Sequence, residues 1–136
     1  MSDLELDRHE LHGMQPVLGV PSMEAAIAYY RDVLGFHVDF VAGDPPAHAR
    51  LCSSPTFVSP AVFIRFEPLE AGAAVNPSVW LWLHVGEGLD ELFATYVSRG
   101  VKIVSAPQDR PWGLREFVIR DCNGYTLAFC AEIAGG

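Results

Sequence analysis

The chain has 136 residues, half of them hydrophobic, and a formal net charge of −8. That hydrophobic share is too high for a disordered chain, and the length supports one compact domain or two small modules sharing a sheet surface. The acidic balance disfavours nucleic acid as partner and mildly favours cationic ligands, while the absence of any apolar run near ~20 residues argues against a membrane span.

The first ten residues, Met1-Ser-Asp-Leu-Glu-Leu-Asp-Arg-His-Glu10, contain no basic start followed by an apolar block, so no secretory signal is visible. Residues 1–13 read as a polar arm carrying His9 and His12. An arm of this kind before the first strand permits exchange between subunits. Cys52, Cys122 and Cys130 are odd in number and lack CxxC spacing, which fits free thiols in a reducing cytoplasm.

Val17 to Val20 ends an apolar strand, and Ser22 then offers a cap to a helix over 23–34. Met23, Ala26, Ile27, Tyr30 and Leu34 share one face of that helix, and Gly35 is its stop. Phe36 to Val41 and Ala61 to Phe66 read as strands; Asp44-Pro-Pro46 reads as a loop, as does the region of His48. Leu69 to Pro77 is a linker. Trp80 to Val85 is a strand, Leu89, Leu92, Phe93 and Tyr96 fall at helical spacing, and Gly100 is a second stop. Val101 to Val104 is again β-like. Two alternating runs, Leu114 to Arg120 and Tyr125 to Glu132, flank Asp121-Cys-Asn-Gly124, and Asn-Gly between such runs is the strongest short-range hairpin signal.

The chain is built twice. Val20 and Val85 are 65 residues apart, and so are Gly35 and Gly100. Strand, helix and glycine stop recur at one offset, so each half reads β-α-β-β-β, with modules at about 14–68 and 78–133 inside a single domain.

A doubled β-α-β-β-β unit, carried by Val20 to Phe36 and by the hairpin Pro111 to Glu132, resembles the vicinal oxygen chelate superfamily of glyoxalases, bleomycin-resistance proteins and dioxygenases. The pieces Asn76-Pro-Ser-Val-Trp-Leu-Trp-Leu83, Gly88-Leu-Asp-Glu-Leu92 and Pro111-Trp-Gly-Leu-Arg-Glu-Phe117 look most like the bleomycin-resistance, antibiotic-resistance branch. The resemblance implies an α+β fold whose strands form a curved mixed sheet around a cavity, with helices outside. It also implies a homodimer with ligand clefts between subunits.

Metal-dependent members of the superfamily take ligands from four cavity-facing strand positions, usually His or Gln, then Glu, His and Glu. Carried onto this chain, those positions fall on Gln15, Phe63, Trp80 and Ala128, the second by the 65-residue offset alone. Phe, Trp and Ala have no atom to donate, whereas catalytic zinc needs about three protein ligands at ~2.0–2.2 Å. No metal and no cofactor are therefore expected at these positions, and a displaced set of His84, Glu132 and Glu67 is the alternative.

Period-2 alternation puts Trp80, Trp82 and His84 on one strand face and Val79, Leu81, Leu83 and Val85 on the other. Aromatic walls with nearby charges suit a flat or cationic ligand. Trp80, Trp82, Trp112, Phe36, Phe40 and Phe63 are the candidate walls, with Gln15, His84, Asp39, Glu116 and Glu132 as candidate polar contacts and Arg65 and Arg115 as counter-charges. Trp112, in a Pro-Trp-Gly loop, stands where a binding protein would cover its ligand. No GxSxG elbow, P-loop or GxGxxG is present. The expected function is metal-free sequestration of an aromatic or cationic small molecule in a dimer cleft, without catalysis. The alternative is a metal-dependent lyase, isomerase or dioxygenase of the same superfamily.

Overall fold

Gly35 and Gly100 both adopt left-handed backbone, with φ of +88° and +74°. A side chain is strained in that conformation, so glycine ends both helices at equivalent points of the repeat. The computed structural model describes residues 9–133. The first half contains β1 (Val17–Val20), α1 (Met23–Ala28), a π-helical turn (Tyr29–Val33), β2 (His37–Ala42), β3 (His48–Cys52) and β4 (Phe63–Pro68). The second contains β5 (Trp80–His84), α2 (Leu89–Ser98), β6 (Lys102–Asp109), β7 (Leu114–Arg120) and β8 (Thr126–Glu132).

Each half forms its own four-stranded mixed sheet, in the orders β1-β4-β3-β2 and β5-β8-β7-β6. The first strand of each half runs parallel to the last, and the other pairs are antiparallel. This is the glyoxalase-like βαβββ arrangement, held as two open sheets.

Three local features differ from the sequence expectation. His48–Cys52 is a strand, not a loop: Ala49 and Leu51 are buried while His48 and Arg50 point to the other face, an alternation too short to stand out beside Pro45 and Pro46. The first helix is α-helical only to Ala28, capped by the Ser22 hydroxyl accepting from Ala25 N at 3.2 Å. Its final turn then widens, at the residue that sends Tyr30 across to the second half. The strand opening at Lys102 runs to Asp109, beyond the expected Val104.

One continuous apolar core spans both halves. Tyr30 packs edge-on against Phe66 at 4.9 Å between ring centroids, and Phe117 stacks on Phe129 at 5.0 Å. Such pairs add ~0.5–1.5 kcal/mol beyond area burial. Polar contacts also cross between the halves: the Tyr96 hydroxyl donates to Leu34 O at 2.8 Å and Arg99 Nη1 to Val33 O at 2.9 Å. Among the described residues no helix is long and apolar enough to cross a membrane. Residues 1–8 of the polar arm, and with them any exchange of its tip, lie outside the described residues.

Candidate functional site

β5 alternates as its sequence requires. Leu81 and Leu83 turn to the core, while Trp80, Trp82 and His84 face outward, the two indoles 51% and 48% exposed. Half-exposed tryptophans side by side are costly to leave in water. They form one wall of a cleft of about 960 Å³, whose other walls come from Phe63 and Arg65 of β4 and from His12 to Pro16, ahead of β1. Gln15, Phe63, Trp80 and Trp82 are thus brought together in one lining.

On the same face as Phe63 and Arg65, the first sheet carries a stack of cations and rings. The Arg50 guanidinium lies over Phe63 at 4.8 Å and over Phe40 at 5.6 Å, and that of Arg65 over Phe40 at 5.4 Å. Asp39 accepts from Arg50 Nε at 2.6 Å, a charge-assisted bond. Arg50 and Arg65 are direct cross-strand neighbours, an arrangement that like charges disfavour. Asp39 offsets only Arg50: among the described residues Arg65 has no ion pair. Among the described residues the cleft lining contains no Asp or Glu, and Arg65 is its one permanently charged side chain.

The pairing register corrects one of the four strand positions considered for a metal. Val17 and Trp82 occupy equivalent points of the repeat, 65 residues apart. Trp82 pairs with Ala128, but Val17 pairs with Arg65. The first-half equivalent of Ala128 is therefore Arg65, two residues beyond Phe63, because the segments joining the strands differ in length between the halves. The four positions are then Gln15, Arg65, Trp80 and Ala128. An amide oxygen, a guanidinium, an indole and a methyl do not make a metal site. The displaced set is also dispersed. Glu67 of the first sheet lies 3.2 Å from His48, and His84 Nδ1 contacts Cys130 Sγ at 3.5 Å in the second. No three His, Cys, Asp or Glu side chains converge among the described residues.

Other candidates lie elsewhere. Phe36 is a core residue, 5% exposed and 5.5 Å from Tyr30. With His84 it lines a smaller, mainly apolar pocket of about 270 Å³ where the two halves meet. Glu116 is buried, with Oε1 accepting from Arg110 Nε at 2.8 Å. Arg115 is bound to Asp90 and Asp109, and Glu132 is exposed at the end of β8. Trp112 is 61% exposed in the β6–β7 turn. That turn adjoins Leu114, opposite Glu132, whereas Trp80 lies opposite Thr126. Six residues of strand, roughly 20 Å, therefore separate Trp112 from the Trp80 end of the sheet.

Sequence reasoning missed the Arg50–Asp39 pair and the stack on Phe40. Their signal was the alternation His48-x-Arg50 against Phe63-x-Arg65-x-Glu67, which becomes informative only once the two strands are known to pair.

Among protein families, the model described as Glyoxalase/Bleomycin resistance protein/Dioxygenase superfamily matches residues 14–129. No curated protein matches the sequence. Solved structures with the same fold include a glyoxalase-related enzyme from Clostridium phytofermentans, 21% identical over 92% of this chain and 98% of that one, with a TM-score of 0.74. TioX from Micromonospora sp. ML1 is 22% identical over 91% and 98%, at 0.70. A bleomycin-binding protein from the bleomycin producer Streptomyces verticillus, solved with copper(II)-bleomycin, is 21% identical over 92% and 99%, at 0.68.

Proposed function

The chain belongs to the Glyoxalase/Bleomycin resistance protein/Dioxygenase superfamily, and on that premise we propose that it binds a flat aromatic small molecule stoichiometrically, without making or breaking a bond. The observation that carries this reading is the cleft itself. Two half-exposed indoles and the Phe63 ring line a volume large enough for a drug-sized compound. At the positions where metal-dependent relatives place ligands, the chain instead has side chains that stack or pack. The fold shared with a bleomycin-binding protein supports the same direction.

The cleft is open along Trp80 and Trp82, and Met14 beside it is 90% exposed. A second copy of the chain covers these groups in the proposed working form, a homodimer. Light scattering on a sizing column reads this directly: a mass near twice 14.9 kDa is expected, and a monomer at micromolar concentration removes the dimer.

Binding is tested by titrating planar aromatic compounds and, separately, the glycopeptide bleomycin in its metal-free form, while following tryptophan fluorescence. Saturable quenching is the expected result, and no change with any of them overturns the reading. Metal analysis after incubation with Mn²⁺, Fe²⁺, Ni²⁺ and Zn²⁺ separates it from a metalloenzyme. Less than about a tenth of an equivalent retained per chain is expected from the donor set; one full equivalent contradicts it.

A further inference from the structure

We infer that the ligand this cleft takes is an aromatic carboxylate, its ring against Trp80, Trp82 and Phe63 and its negative oxygens on Arg65. The inference rests on the reading of the cleft as a binding site and specifies what binds there. The charge of the lining favours it. A chain of net charge −8 repels anions at long range, yet among the described residues this cleft is lined by no carboxylate and one permanent cation.

Among the described residues the cation is also uncompensated. Arg50 and Arg65 face each other across β3 and β4, and the carboxylate beside them, Asp39 of β2, is bonded to Arg50 on the side away from Arg65. Arg65 keeps its fork of N–H donors without an acidic partner among the described residues, while Phe40 supports its guanidinium plane at 5.4 Å. A planar, aromatic-backed guanidinium matches a carboxylate in charge and in bidentate geometry. An incoming carboxylate would supply the counter-charge that the paired arginines lack.

Asp39, Glu116 and Glu132, which suggested a cationic ligand, do not line the cleft.

Calorimetric titration of the full chain with three molecules of one shape decides the matter: 2-naphthoate, 2-naphthamide and 2-naphthylmethylammonium. The carboxylate is expected to bind about tenfold or more tightly than the amide, the range of a charge-assisted hydrogen-bonded contact, with the ammonium weakest. Arg65→Gln should bring the carboxylate down to the affinity of the amide and leave the amide within about twofold. Arg65→Lys, which keeps the charge and loses the fork, should fall between. Equal binding of carboxylate and amide by the unmodified chain overturns the inference while the aromatic cleft stands, whatever the variants do. Binding of none of the three removes the cleft as a site and the inference with it.

Discussion

The Tyr30 hydroxyl donates to Asp121 Oδ2 at 2.5 Å, joining the first helix to the turn of the last hairpin across 91 residues of sequence. The other oxygen of the same carboxylate accepts from the backbone N–H groups of Asn123 and Tyr125, both at 2.9 Å. Tyr125 in turn donates its hydroxyl to Gly19 O at 2.6 Å. One buried carboxylate thus shapes the turn and docks it on the other half. Tyr30→Phe leaves Asp121 Oδ2 buried without its donor and should cost about 1.5–3 kcal/mol in urea unfolding. A loss below about 0.5 kcal/mol would mean that water reaches this carboxylate freely.

The tyrosines predict how stability responds to alkali. Burial first, then the charges of Cys122 and Asp121, push Tyr29 up to about 12. Burial raises Tyr30 well above the usual phenol range, and also raises Tyr96 and Tyr125. The unfolded chain ionises its tyrosines near ~10, while the folded chain keeps those protons. Their contribution is therefore complete below about pH 10 and is lost as pH rises toward about 12. Phenolate absorbance should appear together with the loss of far-ultraviolet circular dichroism. Smooth titration of all four near pH ~10 in a folded chain would contradict this.

Cys122 lies at the surface of the β7–β8 turn, yet its thiol is pushed up to about 11 by partial burial and then by Asp121. At pH ~8 it should carry roughly a hundredfold less thiolate than an ordinary cysteine. Cys52 and Cys130 are buried. Alkylation by iodoacetamide, followed by mass spectrometry, should therefore be slow at every thiol of the native chain. At Cys122 it should accelerate about tenfold per pH unit up to about 11. Modification of Cys122 at the rate of free cysteine would refute the shift.

The three tryptophans should separate in binding. Trp80→Ala or Trp82→Ala removes a wall of the cleft and should weaken an aromatic ligand by about 1–2 kcal/mol. Trp112→Ala, at the far end of the sheet, should leave affinity within about twofold. A tenfold loss at Trp112 would instead mean that the hairpin tip of a second copy closes the cleft.

The sequence by itself determined the doubled architecture. Hydrophobic periodicity, the cap at Ser22 and the glycines at 35 and 100 are local signals, and each half had to bury its own apolar faces. It also determined that Trp80 and Trp82 share an outward face, since side chains in a strand alternate with a period of two. The tertiary structure decided which side chains face one another. That Phe36 belongs to the core, that Asp39 is held by Arg50, and that Arg65 stands where Phe63 was expected all depend on strand pairing. Pairing register is set by connecting segments whose lengths differ between the halves, so a fixed sequence offset cannot carry a position from one half to the other. The same reasoning applies to the charge of the cleft: a net −8 is a property of the whole chain, whereas the cation that Arg65 places in its lining is a property of three-dimensional placement.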